Sequence, residues 1–405
     1  MIIWHVTTEI AIPGIFTGGM GCHVWNIARE QARLGHYVNV FCPLKSSEYR
    51  DGVAFTPWAY HVPKFEHECS FQVEAARRTV AKLFSECEIK PDIIHCHEWD
   101  AAPVALDLAL FLGAPCISTL HLSNTLNQEF MTPHFQELHS YYLWWEQEMF
   151  RRSDATIAIS EHYANWIKLF NHGKPIRTIH NGVDIDSFVN GVEKQKPDNR
   201  ILAFFHGRLC GQKGLDIIAR AARQTDDIYW VIAGPMAAKE DGRCMEDGLL
   251  SELKGLEHSG KLLMPGMLSQ AEIGAWLRAC DVAVYPHRRA PFDCAVLEAM
   301  ACGAAIVTTG VDAITEYCEK DVDAHFISPD PDCLLMSIMW LMNNPERRKR
   351  LGVFARQKAK QFSWQQSTKE TIEFYDEVIH GKNKTGSTSA DRRGQASGIL
   401  LDQHC

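Results

Sequence analysis

The sequence lacks Cys-x-x-Cys pairs, although 14 of its 405 residues are cysteine. Structural zinc sites need ligands at short spacings, so these scattered cysteines argue against a structural zinc site. Several of them, such as Cys116 and Cys302, lie in apolar runs, where a free thiol packs as a small hydrophobic group. Free thiols indicate a reducing compartment, and we expect the protein to be cytoplasmic.

Long apolar runs and an excess of basic residues are missing as well. No apolar run approaches the roughly 20 residues that span a bilayer. The opening MIIWHVTTEI has the pattern of a buried strand without a basic segment, so we expect no signal peptide. The 50 acidic residues against 41 basic ones give a net charge of −9, which argues against a nucleic-acid partner. A local basic pocket is compatible with that balance.

The length and the hydrophobic pattern predict two α/β domains. A chain of 405 residues exceeds the roughly 250–300 at which a single core stops growing. Short β-branched or apolar runs alternate with amphipathic helical segments from Ile2–Val6 onward, and a second alternation starts at Ile201–Phe205. Such alternation is typical of parallel sheets that are covered by helices on both faces. The predicted fold class is therefore α/β, with two Rossmann-like, doubly wound domains.

The polar stretch from Asn190 to Asn199 separates the two alternations and predicts a linker. We therefore predict an N-terminal domain at 1–190 and a C-terminal domain at 196–364. A helix at about 365–380 is predicted to pack back on the N-terminal domain, and the small polar residues of 381–405 predict a disordered tail. Open α/β sheets bind ligands at the carboxyl ends of their strands, so the informative residues should lie in loops that follow strands.

Two strand ends in the N-terminal domain carry candidate binding residues. Gly18 and Gly19 of FTGGMG precede a helix, where glycine lets the backbone approach a ligand and the helix N-terminus favours an anion. A tight turn alone would also need glycine, and the segment does not fit G-x-G-x-x-G. His121 ends the strand of STLH, where it can bond a substrate hydroxyl or be an ordinary satisfied polar residue. His95 and His97 share one strand face, with no third metal ligand evident in the sequence.

Two strand ends in the C-terminal domain carry cations and a carboxylate. Arg208 and Lys213 lie in one loop, where a planar fork and a mobile point charge can converge on a phosphate, or simply be solvated. Further on we predict a loop at Pro291–Ala295 and a helix at Val296–Cys302, whose exposed N–H groups can receive phosphate oxygens. Glu298 in the first turns suits the hydroxyls of a ribose, or is simply favoured by the helix N-terminus.

In their order along the chain, these motifs resemble the retaining nucleotide-sugar glycosyltransferases of the GT-B fold, in which two Rossmann-like domains face a deep cleft. The groups that they resemble most are the glycogen- and starch-synthase-like enzymes and glycosyltransferase family 4. The likeness runs from about Ile2 to Ile379. The motifs that carry it are TTEIAIPGIFTGGMGCHVWNIAREQARLGHYV, PDIIHCHEWDAAPVAL, STLH, SDATIAISEHYANWI, IHNGVDIDSF, GRLCGQKGLDII, VIAGP, PFDCAVLEAMACGAAIVTTG and FSW.

The resemblance implies roles for the glycines, the histidine and the two cations. Gly18 and Gly19 match the loop that approaches the diphosphate of the donor. His121 matches a catalytic histidine near the transferred sugar, which often bonds the 6-hydroxyl of that sugar. Arg208 and Lys213 match the catalytic pair that holds the diphosphate and stabilises it as it leaves.

The remaining donor-binding residues lie around the helix that carries Glu298. Glu298 matches the second acid of the Glu-x7-Glu motif of the family and is expected to bind ribose. Asp293, Cys294 and Ala295 occupy the start of the same motif and complete the expected donor-binding set. The segment Asn181–Gly182 matches the loop at the hinge between the two domains.

The resemblance also implies the reaction. A hexosyl group would pass from a UDP-, GDP- or ADP-sugar to an acceptor hydroxyl with retention of configuration, without a metal ion and without a further cofactor. The acceptor, a glycan, a small molecule or a lipid, is expected near Leu122–His134 and the aromatic helix Phe135–Phe150. Residues 74–84, EAARRTVAKLF, offer a basic amphipathic face that could meet a membrane, although such a pattern more often marks a solvated face.

Three positions depart from the family pattern. Ala290 stands where the family has its first motif acid, Asp293 where a glycine is usual, and Phe16 where bacterial glycogen synthases carry a lysine. The last difference disfavours an ADP-glucose-dependent glycogen synthase. The first two imply altered donor choice or weakened catalysis, with Asp293 or Arg289 as candidates for the missing sugar contact. A catalytically weakened nucleotide-sugar-binding partner or regulatory protein of the same fold is therefore the alternative to an active enzyme.

Overall fold

The computed structural model describes residues 1–9, 18–58, 89–130, 139–189, 194–235 and 248–385. The strands in these residues are β1 (Ile2–Val6), β2 (Tyr37–Cys42), β3 (Glu48–Arg50), β4 (Val53–Pro57), β5 (Ile93–His97), β6 (Cys116–Leu120), β7 (Ala155–Ala158), β8 (Ile176–Thr178), β9 (Ile201–His206), β10 (Ile228–Ala233), β11 (Leu262–Gly266), β12 (Val282–Tyr285), β13 (Ile306–Thr309) and β14 (His325–Ile327).

The helices in the same residues are α1 (Gly19–Arg33), α2 (Ala102–Leu112), α3 (His139–Arg152), α4 (Glu161–Ile167), α5 (Ile185–Val189), α6 (Leu215–Gln224), α7 (Leu249–His258), α8 (Gln270–Ala279), α9 (Cys294–Cys302), α10 (Ile314–Tyr317), α11 (Pro331–Asn343), α12 (Pro345–Ala359) and α13 (Trp364–Thr385). Short 3₁₀ turns form at Gln128–Phe130 and Gly211–Lys213. None of the described helices is both long enough and apolar enough to cross a bilayer.

Some sequence predictions fall on residues outside this description. These are Phe16, the basic segment 74–84, the start of the predicted aromatic helix and residues 190–193 of the linker. The aromatic helix is described from His139 as α3. Its Tyr142 and Trp145 are buried in the core, whereas Trp144 is 52% exposed.

The first sheet has eight strands in the order β3-β4-β2-β1-β5-β6-β7-β8. Its neighbouring strands are parallel except for β3, which runs antiparallel to β4. Every residue of β5 and β6 is buried, as expected for central strands that are covered by helices on both faces.

The second sheet has six parallel strands in the order β11-β10-β9-β12-β13-β14. The strand order reverses at β9, and the loops after β9 and β12 leave the carboxyl edge of the sheet at this switch point, where doubly wound sheets bind ligands. The two sheets confirm the predicted α/β class with two Rossmann-like, doubly wound domains.

The last helix, α13, packs against the first sheet. Its Phe374 and Tyr375 are buried with apolar side chains of β1, β5 and β6, and the Tyr375 hydroxyl lies 2.6 Å from Nδ1 of His95. The helix continues to Thr385, beyond position 381 at which the sequence predicts the tail to begin. Residues 386–405 lie outside the described residues.

Candidate active site

Helix α9 begins at Cys294 because Asp293 caps it. Oδ1 of Asp293 accepts hydrogen bonds from the backbone N–H of Ala295 at 2.9 Å and of Val296 at 3.4 Å. The sequence prediction of a loop that lasts to Ala295 is therefore wrong. An aspartate at the N-cap starts the helix two residues before the apolar run, so Cys294 and Ala295 lie in its first turn.

Lys213 pairs with the same aspartate. It ends the 3₁₀ turn after β9, and its Nζ contacts Oδ2 of Asp293. Nδ1 of His287 lies 3.0 Å from that oxygen. Burial alone would raise the pKa of Asp293, yet the charge of Lys213 and the contact with His287 hold this pKa well below its usual range. The buried carboxylate is therefore ionised at neutral pH and neutralises Lys213.

Arg208 follows β9 and lies beside Gly18, the residue that precedes α1. A Cβ atom added at Gly18 would stand 2.9 Å from Nη2 of Arg208 and 3.1 Å from Oε2 of Glu9. A Cβ atom added at Gly19 would have no described heavy atom within 4 Å. Gly18 is thus enclosed by charged groups of both domains, whereas none of the described residues crowds the Cβ position of Gly19.

Glu298 lies in the second turn of α9, and its carboxylate has a partner inside the chain. Oε2 of Glu298 lies 2.8 Å from Nε2 of His206, and Nδ1 of His206 lies 2.9 Å from the Tyr285 hydroxyl. The Glu298 side chain keeps 17% of its surface exposed, so a ligand can still reach it. Its ribose-binding role stays a prediction. His206 is not among the candidates from the sequence, where the predicted strand stops one residue earlier, at Phe205.

Asp312 holds the loop that carries Ala290. Oδ2 of Asp312 accepts from the N–H of Ala290 at 2.8 Å, and Oδ1 lies 3.1 Å from Nη1 of Arg289. Nε of Arg289 also lies 3.5 Å from Glu129 of the N-terminal domain. Arg289 and Asp293, the two candidates for the missing sugar contact, are therefore both engaged with charged groups of the chain itself.

His121 ends a hydrogen-bonded row of buried side chains that begins at Gln31. Nε2 of His121 lies 3.2 Å from Nδ1 of His97, Nε2 of His97 lies 2.9 Å from Nδ1 of His5, and Nε2 of His5 lies 2.7 Å from Oε1 of Gln31. Burial lowers the pKa of His5 to about 4 and the pKa values of His97 and His121 well below 6.5, so the three rings are neutral at pH 7. We call this row, from Gln31 through His5 and His97 to His121, the histidine row.

The acceptor character of the Gln31 oxygen sets the direction of the histidine row. An amide oxygen can only accept, so Nε2 of His5 carries its proton and Nδ1 of His5 must accept from His97. The same logic makes Nδ1 of His97 the acceptor and Nε2 of His121 the donor. Nδ1 of His121 is then left with a lone pair that can accept a hydrogen bond from a hydroxyl group.

A line of contacts joins His121 to α9 in the other domain. The rings of His23 and His121 are 4.6 Å apart between centroids, and Nδ1 of His23 lies 2.7 Å from Oδ1 of Asn181. Nδ2 of Asn181 donates to Sγ of Cys294 at 3.7 Å. Cys294 directly follows the carboxylate that holds Lys213, so the line continues from the N-terminal domain to the cationic loop.

The predicted hinge lies where the chain crosses twice between the sheets. A Cβ atom at Gly182 would overlap the backbone of Trp364, at the return crossing. Val183 and Ser363 form an isolated parallel bridge there. Nearby, the carboxylate of Glu316 in α10 accepts from two backbone N–H groups at the start of α4, at 2.8 and 2.9 Å. Backbone contacts and a helix cap thus tie the two domains together beside the site.

Two groups of three imidazoles have spacings that a metal ion could use. The ligand atoms of His5, His95 and His97 lie within 4.8 Å of one another, and so do those of His23, His97 and His121. The structure thus places a third imidazole beside His95 and His97 that the sequence does not reveal. The partners come from β1, α1 and the end of β6, so their spacing along the chain carries no signal.

Two buried carboxylates hold the loop after β6. Oε2 of Glu98 accepts from the N–H of His121 and of the next residue, both at 3.1 Å. Glu146 of α3 accepts from Oγ of Ser123 at 3.0 Å and from the N–H of Asn124 at 2.8 Å. Burial raises the pKa of Glu146 to about 7 and that of Glu98 well above its usual range. These bonds fix the start of the predicted acceptor region next to His121.

The comparisons with known proteins match both halves of the chain. The family described as Glycosyltransferase Family 4 matches residues 17–187, and the family described as Glycosyl transferases group 1 matches residues 189–358. The two matches coincide with the two sheets. The chain belongs to the family 4 glycosyltransferases. It is a nucleotide-sugar glycosyltransferase, as the motifs of the sequence predict.

Relatives and solved structures agree with this assignment. The glycogen synthase of Mycobacterium tuberculosis (strain ATCC 25618 / H37Rv) is 26% identical, over 92% of this chain and 94% of the relative. Sucrose-phosphate synthase from Thermosynechococcus elongatus matches with a TM-score of 0.82 at 16% identity, over 94% of this chain and 99% of that chain. Anabaena HepE, in complex with UDP and glucose, matches with a TM-score of 0.73 at 16% identity, over 93% of this chain and 99% of that chain. The structures confirm the GT-B fold.

The glycosyltransferase brings most of its predicted site residues into connected contacts. Lys213 contacts the cap of α9, Arg208 lies beside Gly18, and His121 reaches α9 through His23. The catalytic and donor-binding roles of these residues stay predictions. Four residues of this network, His5, Gln31, His23 and Asp312, are not among the candidates that the sequence analysis names.

Proposed function

We propose that this glycosyltransferase moves a hexosyl group from a nucleoside-diphosphate sugar to an acceptor hydroxyl with retention of configuration, and that it needs neither a divalent metal ion nor another cofactor. The observation that carries the proposal is the line of contacts from His121 to the loop of Lys213. It links a histidine at a strand end of one domain with a cation and a helix N-terminus of the other. Donor sugar and diphosphate would span these two sides.

The charges of the second domain support this chemistry. When the anomeric bond breaks, negative charge builds on the leaving diphosphate, and preorganised donors that face this charge lower the barrier. Arg208 would be such a donor, and Lys213 and the first amides of α9 would join it once they part from Asp293. The two side-chain cations would take the place of a metal ion. The leaving phosphate then helps to deprotonate the acceptor on the same face of the sugar, which retains the configuration.

The sugar side of the site is built on neutral histidines. Nδ1 of His121 accepts a hydrogen bond from a hydroxyl of the donor sugar, because the histidine row commits Nε2 of His121 to His97. Glu298 remains reachable for the ribose hydroxyls next to His206. The nucleotide is UDP, GDP or ADP; UDP is the one bound by the similar Anabaena HepE structure.

A panel of UDP-, GDP- and ADP-sugars tests the proposal. Each donor is incubated with the protein in EDTA, with water as the acceptor, and release of nucleoside diphosphate is followed. Proton NMR reads the anomeric configuration of the released sugar before it mutarotates. We expect turnover of one donor with its configuration retained. An inverted product, or turnover only after Mg²⁺ is added, would contradict the proposal. Tight nucleotide binding without turnover of any donor would favour the catalytically weakened binding protein instead.

A further inference from the structure

Asp293 accepts hydrogen bonds from groups that could otherwise bind an anion. Oδ1 accepts from the N–H groups of Ala295 and Val296 at the N-terminus of α9, and Oδ2 contacts Nζ of Lys213. Helix N-terminal amides and a lysine side chain are common ligands of phosphate groups. The chain therefore places a carboxylate of its own where these donors would otherwise receive an anion from solution.

Asp293 and Lys213 are both largely buried, so separating their charges costs free energy. The side chain of Asp293 is 4% exposed and that of Lys213 is 18% exposed. A charge in such surroundings is costly without a partner, so each of the two stabilises the other. A phosphate group that enters must take Lys213 and the amides from Asp293, and it meets like charge if the carboxylate stays in place.

We propose that Asp293 is an internal competitor of the donor diphosphate, which holds Lys213 and the first amides of α9 until a nucleoside diphosphate displaces it. The inference rests on the proposed function, because it assumes that the diphosphate binds at Lys213. The glycine that is usual at this position of the family has no carboxylate to compete with. Residue 293 therefore sets how tightly this glycosyltransferase holds the diphosphate of its donor.

A different role for Asp293 makes the opposite prediction. Suppose instead that the Asp293 carboxylate bonds the donor sugar in place of the acid that is missing at Ala290. Loss of this carboxylate would then weaken the binding of nucleotide sugars and leave the binding of nucleoside diphosphates unchanged. Nucleoside diphosphates carry no sugar on the phosphate, so they separate competition for the diphosphate site from contact with the sugar.

The experiment measures binding of UDP, GDP and ADP to full-length wild-type, Asp293→Asn and Asp330→Asn protein by calorimetry. Asparagine keeps the side-chain oxygen that caps α9 and removes the charge that holds Lys213. Asp330 is the matched control, because it caps α11 through the same kind of bonds, to the N–H groups of Asp332 at 2.9 Å and Cys333 at 3.0 Å. We expect Asp293→Asn to bind the preferred diphosphate roughly tenfold more tightly, and Asp330→Asn to match wild type.

The outcomes separate the inference from the proposed function. Unchanged or weaker diphosphate binding by Asp293→Asn, with clear binding by wild type, overturns the inference and leaves the proposed function standing. Absence of diphosphate binding by folded wild type and both variants overturns the two together. If the melting temperature shows that asparagine at 293 prevents folding, Asp293→Ser, which also offers an N-cap oxygen, is measured against the same prediction.

Discussion

His97 holds Nε2 of His121 at 3.2 Å from its own Nδ1, and this contact decides which nitrogen of His121 is left to accept a hydrogen bond. Gln31, at the other end of the histidine row, determines this choice of nitrogen, because its amide oxygen can only accept a hydrogen bond. A change inside the first sheet therefore alters the hydrogen-bonding character of a side chain at the domain interface.

Replacing His97 by phenylalanine should lower kcat with little effect on donor KM. Nε2 of His121 loses its acceptor, so the tautomer with a lone pair on Nδ1 is no longer enforced. We expect a fall in kcat of roughly tenfold or more. Nitrogen-15 NMR of the His121 ring should show an unprotonated Nδ1 in wild type and a mixture in the variant.

His95→Phe is the matched control for this prediction. His95 lies on the same strand, but its nitrogens bond Tyr375 at 2.6 Å and Thr119 at 2.7 Å rather than His121. The His95→Phe substitution should lower the melting temperature as His97→Phe does, while kcat per folded protein stays close to the wild-type value. Equal losses of kcat in the two variants would mean that His97 acts through general stability alone.

Replacing Arg208 by alanine should lower kcat by roughly 10²- to 10³-fold, because it removes one of the two cations that we propose to stabilise the leaving diphosphate. Initial rates with the preferred donor measure the effect, and a thermal melt checks the fold. Arg223→Ala in α6 is the control, since Arg223 is 61% exposed and pairs with Glu252 at 3.1 Å. Near-normal rates for Arg208→Ala would remove Arg208 from the mechanism.

Adding a methyl group at Gly18 or Gly19 should have different effects on the free protein. At Gly18 the new Cβ stands 2.9 Å from Nη2 of Arg208, so the guanidinium must move, and we expect a shifted melting temperature and a raised donor KM. At Gly19 the Cβ would have no described heavy atom within 4 Å, so the melting temperature should not fall while donor KM rises. A wild-type KM for Gly19→Ala would show that the donor does not approach Gly19.

Acid should destabilise the protein through its buried histidines. The pKa of His5 and that of His23 are lowered from 6.5 to about 4, chiefly by burial. The unfolded chain therefore binds more protons between these values, so the stability is fully present above pH 6.5 and is lost as the pH falls towards 4. Each such histidine contributes roughly 2 kcal/mol to the loss between pH 7.5 and pH 5.

Urea unfolding of wild type and His23→Gln at a series of pH values checks this. Glutamine can still donate to Asn181 but does not titrate, so the variant should lose less stability between pH 7.5 and 5. Glu146 contributes with the opposite sign, because its pKa is raised to about 7, but it is present in both proteins and cancels in the difference. If the free energy of unfolding fell equally with pH in the two proteins, the lowered pKa of His23 would be contradicted.

The two-domain architecture was accessible from the sequence because it depends on local patterns. Apolar runs of strand length alternate with amphipathic helices, and a buried parallel strand needs no partner information to be recognised. The start of α9 was placed two residues too late, since the apolar period begins at Val296 whereas the capping carboxylate of Asp293 begins the helix at Cys294. Side-chain caps outweigh hydrophobic period at a helix terminus.

The sequence alone determined the fold class, the family, the strand ends that precede His121, Arg208 and Lys213, and the helix that carries Glu298. Each of these follows from the order of residues along one segment. Only the tertiary structure decided the partners of these side chains. Lys213 pairs with Asp293, 80 residues further along the chain, and the histidine row joins four separate segments of the first domain. Such pairings depend on which strand ends the sheet order brings together, and no local spacing encodes them.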